Sequence, residues 1–200
     1  MDVKTPTRTP WQTTTRILKP YRLTSEGLRP HLDKITAVQN MQTPTDVKSF
    51  QRLLGFGNYL SKFLPSLSDV CEPLRRLTDK DIDWTWLPAD DAALETIKRL
   101  ITHHPVLKYY DLQEEVTLQG DASETGLGVA LLQNWQPVAF ASRTLTDTEQ
   151  GYAHIEKECL AIIFACDKFD QYLHGREYVP IHTDHKPLET IFKKSLLSPS

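Results

Sequence analysis

The sequence has few cysteines, no long apolar run and no segment with the character of a signal peptide. Its three cysteines, Cys71, Cys159 and Cys166, are too few and too scattered for a disulfide framework or a zinc site. No apolar stretch approaches the roughly 18 residues that cross a membrane, and the N-terminus has no apolar core of leader length. We therefore expect an intracellular protein that is neither secreted nor membrane-bound.

Charge is unevenly distributed along a chain whose composition, 40% hydrophobic and 24% charged, is typical of a globular protein. Residues 1–80 carry 13 Lys and Arg against 7 Asp and Glu, whereas residues 81–150 carry 4 against 12. A basic front and an acidic middle are typical of a protein that holds both phosphate and a cation. Chance clustering of solvated charges is the alternative.

The front half is predicted to be mainly helical. Residues 1–20, rich in Thr and Pro, are predicted to be a flexible tail, and 21–30 an extended piece closed by a turn at Glu26-Gly27. Helical periodicity begins at Thr45, a candidate cap, and ends at Pro65. Further helices are predicted over 69–78 and from Pro88 to about residue 102. The apolar stripe of the first long helix consists of Phe50, Leu53, Leu54, Leu60 and Leu64.

The back half alternates short strands with helices. A polar break over 111–115 marks a predicted domain boundary. Strands are predicted over 116–121, 126–133, 138–142 and 177–183, although Pro180 is tolerated only at an edge or a bulge. One helix is predicted from Thr146 or Thr148 to Leu173 and another over 185–194. This order predicts an α/β (α+β) fold, with a mixed sheet covered by helices.

Three acidic residues fall where such a fold could bring them together. Asp121 and Asp184 stand at the ends of predicted strands, and Glu158 lies on the helix between them. If those strands are neighbours, their backbones lie about 4.8 Å apart. Clustered carboxylates need a cation, and oxygen ligands suit Mg²⁺ or Mn²⁺, which predicts metal-dependent phosphodiester hydrolysis. Ordinary strand-end and helix-surface acids are the alternative.

Several ordered motifs carry a family resemblance. They are Leu23-Thr24-Ser25-Glu26-Gly27-Leu28, Leu54-Gly55-Phe56-Gly57-Asn58-Tyr59, Phe63-Leu64-Pro65, Trp84-Thr85-Trp86, Pro105-Val106-Leu107, Ala141-Ser142-Arg143 and Thr183-Asp184-His185-Lys186-Pro187-Leu188. From Tyr21 to Ser200 the sequence resembles the polymerase polyprotein of gypsy-type LTR retrotransposons. The resemblance implies the end of the palm, the thumb and the connection over 21–112, and an RNase H-like domain over 113–200.

The resemblance also implies an activity and its partners. Asp121, Glu158 and Asp184 match the family's metal-binding acids, which cut the RNA strand of an RNA–DNA hybrid with two metal ions. Template–primer nucleic acid and the other parts of the polyprotein, palm, fingers and integrase, are the implied partners. The family's domain has a fifth strand and a final helix with a further acidic ligand, so we expect a C-terminally truncated domain. No Tyr-x-Asp-Asp motif is present, so the polymerase active site is absent from this chain. A catalytically inactive or domesticated nucleic-acid-binding remnant is the alternative function.

Other polar and aromatic residues receive more modest interpretations. The thumb-like segment offers Lys48, Arg52 and Lys62 to template–primer phosphates, with a solvated helix face as an equal alternative. Packing is favoured over base stacking for the tryptophans at 84 and 86. Surface or supporting roles are favoured for the histidines at 182 and 185, and a structural one for that at 154. The acids at 90 and 91 are interpreted as N-terminal helix residues.

Overall fold

The computed structural model describes residues 16–18, 21–79, 83–183 and 188 of the chain. The front half comprises β1 (Arg16–Leu18), β2 (Tyr21–Thr24), β3 (Gly27–Pro30), α1 (Leu32–Gln39), α2 (Val47–Leu60), α3 (Leu67–Cys71) and α4 (Pro88–Thr102). Turns of 3-10 helix cover Ser61–Phe63 and Glu72–Thr78. The back half comprises β4 (Thr117–Ala122), β5 (Gly126–Gln133), β6 (Gln136–Thr144), α5 (Asp147–Gln150), α6 (His154–Lys168), α7 (Asp170–Leu173) and β7 (Ile181–His182).

The first three strands form a small antiparallel sheet that is tied to the residues after α4. The predicted turn joins β2 to β3. Gly27 in this turn has a φ of 142°, which residues other than glycine rarely adopt. Leu28 and Leu107 exchange both backbone hydrogen bonds, at N–O distances of 2.7 and 3.0 Å. The hairpin is therefore anchored to the segment that leads into the second half of the chain.

Helix α2 follows the prediction except at its two ends: it stops at Leu60, and a 3-10 turn covers Ser61–Phe63 before Pro65. Asp46, not Thr45, is the N-cap, because its carboxylate accepts a hydrogen bond from the backbone N–H of Ser49 at 2.6 Å. A carboxylate also stabilises the positive end of the helix. The apolar stripe is buried apart from Leu54, which is half-buried.

Two front-half helices differ from expectation. Helix α1 was not predicted, because it buries only Val38 completely and its N-cap is His31, whose ring nitrogen accepts from the backbone N–H of Asp33. The helix predicted over 69–78 is instead α3 followed by a 3-10 turn. Pro73 accounts for the change, because it has no N–H to continue the α-helical ladder.

The second sheet has the predicted mixed topology, in the order β6-β5-β4-β7. Among the described strands of this sheet, β4 and β7 pair in parallel and the other neighbours are antiparallel. Strand β7 is shorter than predicted because Pro180 has no N–H; its carbonyl accepts from the N–H of Leu118 at 2.9 Å just before β7 begins. The helix predicted to run unbroken to Leu173 is divided into α5, α6 and α7, with Ala153 in an extended conformation between the first two.

The hydrophobic interior falls into two clusters, one in each half. The first contains buried residues from Val38 to Leu107 and the second from Val116 to Phe169. The predicted boundary between residues 112 and 113 falls in the interval between the clusters and stays a prediction. Buried Gln133 ties this interval to the sheet: its side chain accepts from the N–H of Asp111 at 2.8 Å and donates to the same residue's carbonyl at 2.6 Å.

The second sheet is covered on both faces. On one face, Ala161 of α6 approaches Gly120 of β4 closely enough that an added Cβ would lie 3.5 Å from the alanine methyl. On the other face, the front half packs against β5 and β6. There the N–H of Ser68 donates to the hydroxyl of Ser142 at 3.1 Å, and Phe140 contacts the first cluster. In the described parts of the chain, we find no helix long and apolar enough to cross a membrane.

An ion pair at the end of β6 predicts a pH-dependent stability. Both carboxylate oxygens of Glu149 accept from the guanidinium of Arg143 at 2.8 Å, and one also accepts from the N–H of Thr146 at 2.8 Å. These hydrogen bonds, with Arg143 the largest cause, lower the pKa of Glu149 from 4.5 to about 2. A carboxyl whose pKa is lowered by folding contributes stability that is complete above its ordinary pKa and is lost as the pH falls towards the folded-state value.

We therefore expect Glu149→Gln to lower the free energy of unfolding at pH 7, and the difference from the unaltered chain to shrink as the pH falls from about 5 to 3. Urea titrations at several pH values measure this difference. Asp147→Asn, at an exposed position on the same helix, is the control. A difference that stays constant across this pH range would contradict the assignment of the shift to folding.

Candidate active site

Asp121 lies near the end of β4, on the face of the sheet that turns away from α6. Its neighbour Gly120 faces Ala161, and successive side chains of a strand alternate between faces. Asp121 is exposed and pairs with Gly128 of β5. Its carboxylate is therefore accessible from the side that also carries Pro65 and Ser66 of the front half, which line the same hollow.

Glu158 reaches the end of β4 from α6, as predicted. Its side chain is only 1% exposed, and its Oε1 accepts from the N–H of Ala122 at 3.3 Å. That N–H belongs to the peptide group joining Asp121 to Ala122, so the structure brings this second predicted acid to within one residue of the first. His154, one turn earlier, places its Nε2 3.5 Å from the same carboxylate oxygen.

Asp184, the third predicted acid, lies outside the described residues, as does His185. The strand before it is described: β7 pairs Ile181 with Leu118 and His182 with Gln119 of β4. His182 stands two residues before Asp184 in the sequence, just as Gln119 stands two before Asp121. Among the described residues, no group of three His, Cys, Asp or Glu side chains is arranged to hold a metal.

Carboxylate oxygens are nevertheless the right donors for a hard divalent cation. Asp121 presents one carboxylate to solvent, and Glu158 holds another in a buried position beside the same strand end. A buried carboxylate is costly unless it is paired with a cation or a hydrogen-bond donor. The donor chemistry of these two carboxylates thus fits Mg²⁺ or Mn²⁺.

Two residues that sequence analysis missed fix the turn after Asp121. Asp69 of α3 accepts from the hydroxyl of Ser123 at 2.8 Å, and an added Cβ at Gly126 would overlap the Asp69 carboxylate. On the other side Lys157, 8% exposed, donates to the carbonyl of Glu124 at 3.2 Å. The two alternating glycines of β5, at 126 and 128, were the available signal, since glycine within a strand marks a close approach of other chain segments.

The predicted nucleic-acid contacts divide into two kinds. Lys48 and Arg52 are exposed on α2. Lys62 is half-buried with its Nζ 3.5 Å from the ring centroid of Tyr21, and burial lowers its pKa. Gly55 lies on the same helix, and an added Cβ there would meet nothing within 4 Å.

Two further interpretations are confirmed. Asp90 begins α4 as a helix acid: it is 1% exposed, accepts from the N–H of Leu87 at 2.7 Å and contacts the guanidinium of Arg76. The tryptophans pack, as predicted: Trp84 lies 6.1 Å from Trp86 and 6.2 Å from Phe50, between ring centroids.

Comparison with known proteins agrees with this architecture. Residues 86–179 match the family described as the RNase H-like domain found in reverse transcriptase. The chain is 38% identical over 168 residues to the retrovirus-related Pol polyprotein from transposon 297 of Drosophila melanogaster, covering 83% of this chain and 16% of that protein. It is 33% identical over 174 residues to the transposon Tf2-3 polyprotein of Schizosaccharomyces pombe, covering 84% and 13%.

The fold is similar to that of solved reverse transcriptases. A foamy viral protease–reverse transcriptase in complex with double-stranded DNA superposes with a TM-score of 0.78 at 21% identity, over 92% of this chain and 32% of the other. That structure is of a form designated dRH. A foamy viral protease–reverse transcriptase in complex with an RNA/DNA hybrid gives 0.75 at 21% identity, over 93% of this chain and 26% of the other.

The mixed sheet, its helices and the family match together define an RNase H-like domain of the reverse-transcriptase type. More particularly, its homologues are Ty3/gypsy-type transposon polyproteins, in agreement with the resemblance. It spans 16% and 13% of the lengths of these two curated relatives.

Proposed function

We propose that this chain is part of a retrotransposon reverse transcriptase whose RNase H-like domain hydrolyses the RNA strand of RNA–DNA hybrids. Asp121, Glu158 and Asp184 are its catalytic and metal-binding residues. One observation carries the proposal: the buried carboxylate of Glu158 accepts from the peptide N–H that follows Asp121. Two distant parts of the sequence thereby bring their acids to one strand end.

Each acid has a distinct part in this proposal. When bound, Mg²⁺ or Mn²⁺ supplies activation of a water and stabilises charge on the leaving 3′ oxygen. Asp121 is exposed on a strand in the middle of the described sheet, so its carboxylate is held by a rigid element and still open to a substrate. Glu158 supplies a carboxylate whose position is fixed by its hydrogen bond to β4.

The turn after Asp121 is held from both sides, which supports a preorganised site. Lys157 donates to the carbonyl of Glu124, and Asp69 accepts from Ser123. Fixed supports of this kind keep catalytic groups within the narrow geometry that catalysis requires.

The proposed partners follow from the relatives. The foamy viral enzyme was solved in complex with double-stranded DNA and with an RNA/DNA hybrid, and we propose the hybrid or a template–primer as the nucleic-acid partner. Because the curated relatives are polyproteins of which this chain spans 16% and 13%, palm, fingers and integrase are proposed protein partners. An intracellular location belongs to the same proposal.

A second candidate function is a catalytically inactive or domesticated nucleic-acid-binding remnant. One observation favours it: Asp121 lies on the face of the sheet away from α6, whereas Glu158 approaches β4 from α6. A chain whose carboxylates do not meet at one metal ion would bind nucleic acid without cleaving it.

Cleavage of a labelled RNA–DNA hybrid by the 200-residue chain, with and without Mg²⁺, separates these two functions. We expect Mg²⁺-dependent cuts in the RNA strand, and none in the DNA strand or in duplex DNA. Hybrid binding with no cleavage at any Mg²⁺ or Mn²⁺ concentration would favour the remnant instead.

The exposed cations of α2 predict a salt-dependent contribution to binding. Lys48→Gln combined with Arg52→Gln is expected to weaken duplex binding and to lower the slope of log affinity against log salt by about 2, because each phosphate contact contributes about 0.9. Anisotropy titrations over a range of salt concentrations measure the slope. Arg99→Gln, at an exposed position on α4, is the matched control, and an unchanged slope in the double variant would show that α2 is a solvated face.

A further inference from the structure

The tip of the β5–β6 hairpin carries a tryptophan, Trp135, with a positive φ angle that is unfavourable for this residue type. Gln133 pairs with Gln136, which leaves Asn134 and Trp135 as a two-residue turn. Their φ angles are 51° and 60°, and turns of this kind favour glycine at the second position. Trp135 is also 70% exposed. The fold alone therefore gives no reason for a large aromatic side chain at this position, and an outlier of this kind points to function.

The indole of Trp135 lies against a second exposed ring. Its centroid is 5.4 Å from that of His182, with the two planes at 90°. His182 in turn pairs with Gln119 in the parallel β4–β7 ladder, and paired residues of neighbouring strands project from the same face of a sheet. We call Trp135, His182 and Gln119 the hairpin strip.

The hairpin strip lies on the same face of the sheet as Asp121. Gln119 precedes Asp121 by two residues in β4, so the two side chains share a face and are about 7 Å apart along the strand. Both are exposed. That face is the one turned away from α6, because Gly120 between them faces Ala161. The strip therefore extends the surface around the proposed acid site towards the hairpin.

We propose that the hairpin strip binds the RNA strand of the hybrid beside the acids, an inference that rests on the proposed function. The strip presents an indole ring, an imidazole and an amide, which suit sugars and hydroxyls better than the phosphate charge. An amide both donates and accepts hydrogen bonds, as does the 2′-hydroxyl by which RNA is distinguished from DNA. Aromatic rings pack on nucleotides with little sequence preference, which fits an enzyme that reads backbone geometry.

The test measures binding and stability together. Anisotropy titrations of a labelled RNA–DNA hybrid in EDTA report affinity without cleavage, and thermal melts report the fold. Trp135→Gly is expected to weaken hybrid binding about tenfold, at the lower end of the range for aromatic stacking. The same variant is expected to raise the melting temperature, because glycine accepts positive φ without strain. A purely structural tryptophan would give the opposite melting result.

Two more variants sharpen the assignment. Gln119→Leu is expected to reduce affinity for the hybrid more than affinity for duplex DNA of the same sequence. Leu112→Ala removes an apolar side chain that is 76% exposed outside the strip, and it is expected to leave affinity unchanged.

The possible failures are distinguishable. Unchanged affinity in Trp135→Gly, with binding by the unaltered chain intact, overturns the hairpin strip and leaves the proposed function standing. If Gln119→Leu loses equal affinity for the hybrid and for duplex DNA, the hairpin strip does not recognise the RNA strand. Absence of hybrid binding by the unaltered chain overturns both proposals.

Discussion

Replacing Asp121 by Asn is expected to reduce cleavage of an RNA–DNA hybrid about a thousandfold and to leave the fold intact. The change removes one negative charge and keeps the size of the side chain. Losing a metal-binding carboxylate removes several kcal/mol of transition-state stabilisation, and roughly 4 kcal/mol corresponds to this factor. Because Asp121 is exposed, no buried group is left without a partner, so the melting temperature is expected to stay the same or to rise.

A matched control lies three residues further along the chain. Glu124 is exposed in the turn after β4, and Glu124→Gln changes the net charge by the same amount at nearly the same place. It should cleave at the rate of the unaltered chain. If both variants lost activity equally, the effect would be that of overall charge on substrate binding and would not identify a metal ligand.

The substitution Glu158→Gln tests whether the second acid is needed for cleavage or for the stability of the fold. Glutamine keeps the acceptor oxygen for the N–H of Ala122, which the carboxylate now holds at 3.3 Å. The fold is therefore expected to persist while cleavage falls as far as in Asp121→Asn. Full activity in either variant would remove that residue from the proposed site and favour the nucleic-acid-binding remnant.

The parts of the fold that could be predicted are those in which local signals agree with the tertiary structure. Helix α4 begins with Pro88 at a favourable first position and buries a regular apolar face, so its predicted span agrees with the observed one. The order of short strands and helices likewise predicted the mixed sheet. Glu158 could be placed at the strand end because small residues, Ala161 and Ala165, mark the face of α6 that packs on the sheet.

The parts that could not be predicted depend on contacts between distant segments. The hydrogen bond between Asp69 and Ser123 joins residues 54 positions apart, and nothing near Asp69 in the sequence indicates its partner. From the sequence, Gln133 is expected to be a polar, solvent-facing residue at the end of β5. In the structure it is completely buried and accepts a hydrogen bond from the N–H of Asp111. Helix α1 lacks both a favoured capping residue and a wide apolar face. In each case packing, not local preference, decides the outcome.

Replacing Gly27 by Ala is expected to cause the largest loss of stability of any single change considered. Gly27 has a φ of 142°, in a region that is essentially restricted to glycine and costs about 1–3 kcal/mol for other residues. An added Cβ would also overlap the backbone carbonyl oxygen of Leu107. Because a backbone carbonyl cannot rotate away as a side chain can, the β2–β3 hairpin has to move away from Leu107.

That movement breaks the two hydrogen bonds between Leu28 and Leu107, at 2.7 and 3.0 Å, each of which contributes about 1 kcal/mol. Together with the strain, the expected loss is about 3–5 kcal/mol, a large share of the 5–15 kcal/mol typical of a domain. Urea titration followed by circular dichroism measures it as a lower midpoint.

Gly55→Ala provides the control, since the same substitution in open space has the opposite effect. An added Cβ at Gly55 meets nothing within 4 Å, and alanine is favoured over glycine inside a helix by about 1 kcal/mol. This variant is expected to be more stable than the unaltered chain. If Gly27→Ala instead lost less than about 1 kcal/mol, the segment after α4 would have to yield easily. The close link between the hairpin and Leu107 would then contribute little to stability.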